Sequence, residues 1–241
     1  MQGKEVRFRA HLQRGGTSLN EMRRLLEAFA EHQDYNRLRR QALEENLLGK
    51  NSEYFIRDLL KTFKRYFLKE LGLPPAHLVG LAMRSSIPDA AKTQMLLPYF
   101  VRSDPLVERC YRDLVLDRLN REDEPHLTTK EVVDHLRALS SEHLELGRWS
   151  DYLLLRWSQG FITLLRRFRL MERHPHTKLH RLWLLPEPFG FFWLWLWNWK
   201  ESFHEAEQDE LWEILQLTDS LREELLSEGE ARGWWRYQRL G

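Results

Sequence analysis

Four basic side chains, Arg57, Lys61, Lys64 and Arg65, stand at i, i+4, i+7 and i+8. That spacing lays them along one face of an α-helix. Cations gathered on one face can neutralise nucleic-acid phosphates and release their counterions, so such binding weakens steeply with salt. The same pattern also fits a solvated helix surface. A denser run follows at Arg166, Arg167, Arg169, Arg173, Lys178 and Arg181, with Glu172 as the single acid among them. Both groups are candidate phosphate contacts. Base-specific reading is not assigned, since it depends on which side chains reach a groove.

Signatures of other chemistry are missing. The chain has no Walker-type glycine loop, HExxH, nucleophile elbow, paired CxxC or dinucleotide fingerprint. That removes the common enzyme classes, and the expectation is a non-enzymatic protein with no catalytic residue and no cofactor. His174, His176 and His180 cluster, and the last two have the i, i+4 spacing that brings metal ligands together. A stable zinc site needs three or four ligands, and Arg173, Lys178 and Arg181 would repel a cation. The cluster therefore reads as part of a basic segment, and no metal site is expected. Cys110 is the single cysteine, so an intramolecular disulfide is impossible. Its place on an apolar helix face makes it a small core residue.

These groups belong to a chain of 241 residues, 42% hydrophobic and 30% charged, with a net charge of +1. The length fits one large domain or two small ones. The sequence pI of about 7.9 is below the range above ~9 common in dedicated nucleic-acid domains. Any electrostatic case must rest on local asymmetry. Basic segments lie at 37–40, 50–69 and 166–181, and acidic ones at 201–213 and 223–230. The first ten residues lack the apolar run of a signal peptide. Ten Trp include a dense run from Phe191 to Trp199. A membrane span needs about 20 mostly apolar residues, whereas Pro186 and Pro188 break this run upstream and Asn198, Lys200 and Glu201 end it. No membrane span and a cytoplasmic location are expected.

The elements that carry these side chains read as helices. Ser18 and Glu21 have capping-box spacing before Leu19, Met22, Leu25, Leu26 and Phe29, and Gly15-Gly16 leads into that cap. A second helix starts at Asp34, runs through Leu47 and stops at Gly49. A third starts at Asn51-Ser52 and ends at Gly72 and Pro74-Pro75. Further helices are expected over 75–84 and 88–101, with Pro98 a kink or boundary. Asp104-Pro105 opens another, as cap and first helical residue. A domain boundary near Arg102 to Asp104 divides the chain into 1–103 and 104–241. Thr128 and Glu131 form a second capping box, and Trp149-Ser150 opens the helix that ends in the Arg166 run. Leu179 to Leu185 suits a short strand. In Phe191 to Trp199 the Trp residues alternate as in a strand, while apolar residues on both faces suit a buried helix; helix is preferred. Helices over 211–217 and 221–228, capped by Thr218, Asp219 or Ser220, precede a strand-like Trp234 to Gln238. That order suits a small winged-helix unit at the C-terminus.

Two segments carry a family resemblance: Gly15-Gly16-Thr17-Ser18-Leu19-Asn20-Glu21, and Ala42-Leu43-Glu44-Glu45-Asn46-Leu47-Leu48 followed by Ser52 and a basic-aromatic helix. Together they resemble the BrxA family of the bacterial BREX anti-phage system. The helix at 128–139 and Leu182 to Pro186 resemble it more loosely, and this chain departs from it in a longer C-terminus and in the Trp run. The resemblance implies a mainly helical protein with helix-turn-helix and NusB-like character. It also implies double-stranded DNA binding beside the other BREX components BrxB, BrxC, the methyltransferase PglX and the phosphatase-like PglZ. It supplies no catalytic residues. Gly15, Gly16, Glu21, Glu45, Asn46 and Ser52 match its motif positions and read as turn, cap and helix-end residues. Two other readings stand beside DNA binding. One is a protein–protein scaffold using Trp234 and Trp235 as anchors; the other is RNA binding by analogy with NusB-like folds.

Overall fold

The computed structural model describes residues 8–13 and 18–236. After a 3-10 turn at His11–Gln13 the chain runs through α1 (Leu19–His32), α2 (Tyr35–Glu44), α3 (Glu53–Phe67), α4 (Ala76–Arg84) and α5 (Asp89–Arg102). Next come α6 (Pro105–Cys110), a π-helical stretch (Tyr111–Leu116), α7 (Asp117–Arg121), α8 (Thr129–Leu139), α9 (Leu144–Gly147) and α10 (Asp151–Arg167). The last part holds α11 (Pro186–Trp199), α12 (Phe203–Glu207), α13 (Leu211–Ile214) and α14 (Asp219–Ala231). Among the described residues no helix is long and apolar enough to cross a membrane.

Local chemistry explains most helix starts. Side chains of Asp34, Ser52, Asp104, Ser150 and Thr218 each accept a first-turn N–H. Thr128 and Glu131 form the full reciprocal box. Ser18 does not cap α1. Its expected partner Glu21 instead pairs with Lys50 Nζ at 2.9 Å, tying α1 to the turn before α3. The second helix stops at Glu44, short of Leu47, because Asn46 turns left-handed at φ 52° ahead of Gly49 at φ 62°. Pro98 is no boundary. α5 runs through it, with Leu96, Leu97, Tyr99, Phe100 and Val101 all buried around it, and that burial outweighs one missing hydrogen bond.

α1 packs along α4, where Gly80 permits contact; a Cβ there would lie 2.2 Å from the Leu26 carbonyl oxygen. An aromatic chain through Phe67, Tyr66, Tyr99, Phe100 and Phe168 joins α3, α5 and the end of α10. The buried residues form one core that extends from Phe8 to Leu226. Ser103 and Asp104, at the corner between α5 and α6, are buried within it.

Phe191 to Trp199 is helical, as the last part of α11. The expected C-terminal strands are absent among the described residues. Lys178 and Leu179 make only isolated bridges, to His126 and Met171. Beyond them the backbone is held by side chains: Gln216 Oε1 accepts from Leu182 N at 2.8 Å, and Gln94 Oε1 from Leu185 N at 2.8 Å. Trp234 to Arg236 form no strand, because Gly233 at φ 73° turns the chain back onto α14. There Trp235 Nε1 donates to the Leu226 carbonyl at 2.9 Å. Tyr237 and Gln238, like Gly15 and Gly16, lie outside the described residues.

Candidate nucleic-acid interface

α10 is two-faced. Ser150 caps it, and Leu154, Trp157, Phe161, Leu164 and Leu165 bury the side that meets α8. On the other side Tyr152, Arg156, Gln159, Thr163 and Arg167 are exposed. Their spacing of four, three, four and four residues keeps them in one stripe. Arg156 and Gln159 are neighbours, at Nη1–Oε1 3.4 Å. The N-terminal turn crosses beside this stripe at Gly160, where a Cβ would come within 2.8 Å of the Leu12 carbonyl oxygen.

After α10 the chain reverses at Arg169, φ 60°, and makes a narrow loop. His180 N donates to the Leu170 carbonyl at 2.9 Å, Glu172 N to Lys178 O at 3.0 Å, and His176 N to Arg173 O at 3.0 Å across the tip. On its far edge Leu127 N donates to Thr177 O at 2.9 Å and Leu179 N to Pro125 O at 2.8 Å. Three short extended segments therefore lie side by side, 125–127, 177–180 and 170–172, immediately before α8 and after α10.

The basic run divides by task on this scaffold. Arg166 braces the loop, its Nε and Nη2 donating to the Glu172 and His176 carbonyls, each at 3.2 Å. Lys178 pairs with Glu124 at 2.9 Å. Arg181 donates to Asn120 Oδ1 at 3.1 Å and to the Leu119 carbonyl. The side chains of Arg167, Arg169 and Arg173 are exposed and have no hydrogen-bond or ion-pair partner among the described residues. A carbonyl partner leaves a guanidinium its charge, so of these six cations Lys178 alone has an ion-pair partner among the described residues, while Arg167 stands near enough to Glu21 to act on its carboxyl. Glu172 sits between His176 and His180, at 4.0 and 3.6 Å. Among the described residues no group of three His, Cys, Asp or Glu is placed to hold a metal.

The four-residue face of α3 splits. Arg57 is paired with Glu53, Nε to Oε1 at 2.9 Å. Lys61 is exposed with no side-chain partner among the described residues, and Lys64 Nζ sits 5.6 Å from the centre of the Tyr35 ring. Arg65 turns inward, over the Tyr66 ring at 5.0 Å. There burial, with the charges of Arg65, Arg9 and Lys69, pushes the His11 imidazole down to about 4. Arg9 and Lys69 thus join Arg65 in a cluster that the α3 spacing alone did not show.

Glu21, Asn46 and Ser52 each make a local or tertiary contact. Burial raises the Glu21 carboxyl, but the Lys50 hydrogen bond and charge and the nearby Arg167 bring it below its ordinary value overall. Asn46 Oδ1 accepts from Lys50 N at 2.9 Å, Ser52 Oγ from Phe55 N at 3.3 Å, and Glu45 is the exposed end of α2. At the C-terminus, Trp235 meets Phe189 edge-on at 6.2 Å, and Trp234, 38% exposed, lies under the Arg232 guanidinium at 5.0 Å.

Tyr152, Arg156 and Gln159 were not among the residues that the sequence singled out. Their signal was present as the polar complement of the α10 apolar stripe, but charge density is highest just past the helix and points there instead. No curated protein matches the chain. The BrxA family model matches residues 6–192. The chain therefore belongs to the BrxA family and is a BREX-associated protein.

Proposed function

We propose that this protein is a non-enzymatic, double-stranded DNA-binding accessory factor of BREX phage defence. In this reading α8 and α10 act as a helix-turn-helix pair, and the loop around Arg173 to His176 acts as a wing. The order supports it: helix at 105–121, extended segment, α8, α10, then two extended segments around a basic loop. A recognition helix of such a unit enters the major groove while flanking loops touch the backbone. The connection between α8 and α10, with α9 inside it, is longer than the usual turn. The observation that carries the reading is the outward stripe Tyr152, Arg156, Gln159, Thr163 and Arg167, continued by Arg169 and Arg173. Arg and Gln side chains donate readily to phosphate oxygens, which is the contact this reading requires.

In gel shifts, a duplex is expected to compete far better than RNA of the same sequence. Arg156→Ala with Gln159→Ala is expected to weaken duplex binding while leaving the melting temperature unchanged. Preference for RNA would instead favour the NusB-like reading. In this reading the protein works in the cytoplasm beside BrxB, BrxC, PglX and PglZ. The exposed aromatic surface at the end of α11 favours a second, scaffolding role.

A further inference from the structure

α11 changes character along its length. Phe189, Phe192, Trp193 and Leu196 are buried, whereas Trp197 and Trp199 reach solvent at 48% and 52% exposure. Phe203, 39% exposed, stands edge-on to Trp197 at 6.4 Å. Trp199 stacks on Trp195 at 6.1 Å and rests on Gly72, where an added Cβ would come within 3.3 Å of the indole. It forms a shared wall between two cavities. One, of about 640 Å³, has Phe67, Tyr99 and Trp195 on its lining together with Lys69, Glu70 and His77. The other, of about 750 Å³, holds Glu70, Glu108, Glu205, Asp209 and Glu210 against Arg102 and Lys200.

The internal pairing leaves this second cavity acidic. Arg102 and Lys200 are both spent on Asp209, at 3.1 and 2.9 Å. Glu108 and Glu210 share Arg112, at 3.4 and 3.2 Å. The carboxylates of Glu70 and Glu205 have no hydrogen-bond or ion-pair partner among the described residues. Next door, Trp195 Nε1 is buried without an acceptor.

We propose that this cleft docks a basic segment of a partner protein that carries an apolar side chain beside its lysines or arginines. The Trp199 ring already holds one cation, Lys200 Nζ at 5.2 Å from its centre; the unpaired carboxylates complement further ones, and an exposed aromatic cluster of this kind marks a contact surface. The same carboxylates repel DNA and anionic lipid. None of the side chains lining the cleft belongs to the α10 stripe, so the proposal does not depend on that stripe.

The test uses the full chain and a fluorescent peptide alternating arginine and leucine, with an alternating glutamate–leucine peptide as its counterpart. The arginine peptide is expected to bind. Glu70→Gln with Glu205→Gln is expected to weaken it about tenfold, or about 1.4 kcal/mol. Trp199→Ala is expected to weaken it similarly. The control pair Glu142→Gln with Glu224→Gln removes the same charge elsewhere and should change nothing. Equal weakening by both pairs, or equal binding of the glutamate peptide, overturns the proposal. So does self-association in sedimentation that the Glu70/Glu205 pair abolishes, since the occupant would then be a second copy. If Trp199→Ala fails to fold, the charge pairs still decide. Duplex affinity measured on the same variants should not change, so a failure of the DNA reading is seen separately.

Discussion

Asp104 caps α6, its Oδ1 accepting from Leu106 N at 3.0 Å, while its Oδ2 is buried without a partner. Burial pushes the carboxyl up to about 6, against the opposing pull of the Leu106 N–H and Arg65. The folded chain therefore holds this proton at pH values where the unfolded chain, near ~4, has released it. Between those values the native state binds more protons, so this residue's contribution falls as pH rises. His11 works in the opposite sense, because its folded value lies below its unfolded one. Asp104→Asn keeps the acceptor and removes the charge. Relative to the parent it is predicted to gain about 1–3 kcal/mol above pH 6 and to forfeit that gain near pH 4; urea melts at several pH values check this. A second residue ties distant parts together. Gln216 accepts from Leu182 N at 2.8 Å and donates to the Tyr111 hydroxyl at 2.9 Å, all in the core. Gln216→Ala is predicted to cost about 2–4 kcal/mol in the same melts, since it leaves buried groups unpaired. The contrast with the caps shows what was legible. Asp34, Ser52 and Thr128 satisfy donors two or three residues away, and local chemistry reveals them. Glu21 with Lys50, and Gln216 with Leu182 and Tyr111, are set by tertiary packing, which residue spacing does not encode.

At the scale of elements, the helical reading of α3, α8 and α10 followed from apolar periodicity and caps, whereas that of Phe191 to Trp199 in α11 rested only on apolar residues on both faces, against a strand-like alternation of Trp. The placement of the small extended unit did not. Its expected position was Leu179 to Leu185 and the C-terminus, where Trp234 and Trp235 imitate a strand; only Leu179 of these makes a bridge. The extended pairs instead involve 125–127, 170–172 and 177–180, segments too short to show alternation and brought together from about 50 residues apart. The candidate cations divide accordingly. Arg166 holds the loop backbone, so Arg166→Ala is predicted to lower the melting temperature by a few degrees and to weaken duplex binding with it. The Arg173 side chain holds nothing in place, so Arg173→Ala is predicted to weaken duplex binding with no change in melting. Thermal melts paired with anisotropy titrations separate the two. Equal melting shifts in both variants would deny Arg166 its bracing role.

For the whole molecule, a net charge of +1 conceals a division of labour. Exposed arginines without carboxylate partners lie along α10 and the loop after it, and unpaired carboxylates lie around Trp199. A near-neutral protein can then offer one surface to a polyanion and another to a cationic partner. The central claim is that the α10 face binds duplex DNA through charge. Fluorescence anisotropy of a random-sequence duplex at rising salt tests it most directly, comparing the parent with an Arg156→Ala, Arg167→Ala, Arg173→Ala triple variant. The prediction is a linear fall of log affinity with log salt. In the triple variant that slope should be shallower by about 0.9 for each phosphate no longer neutralised, so by about 3 in all. A parent that fails to bind even at low salt, or a triple variant with an unaltered slope, would contradict it.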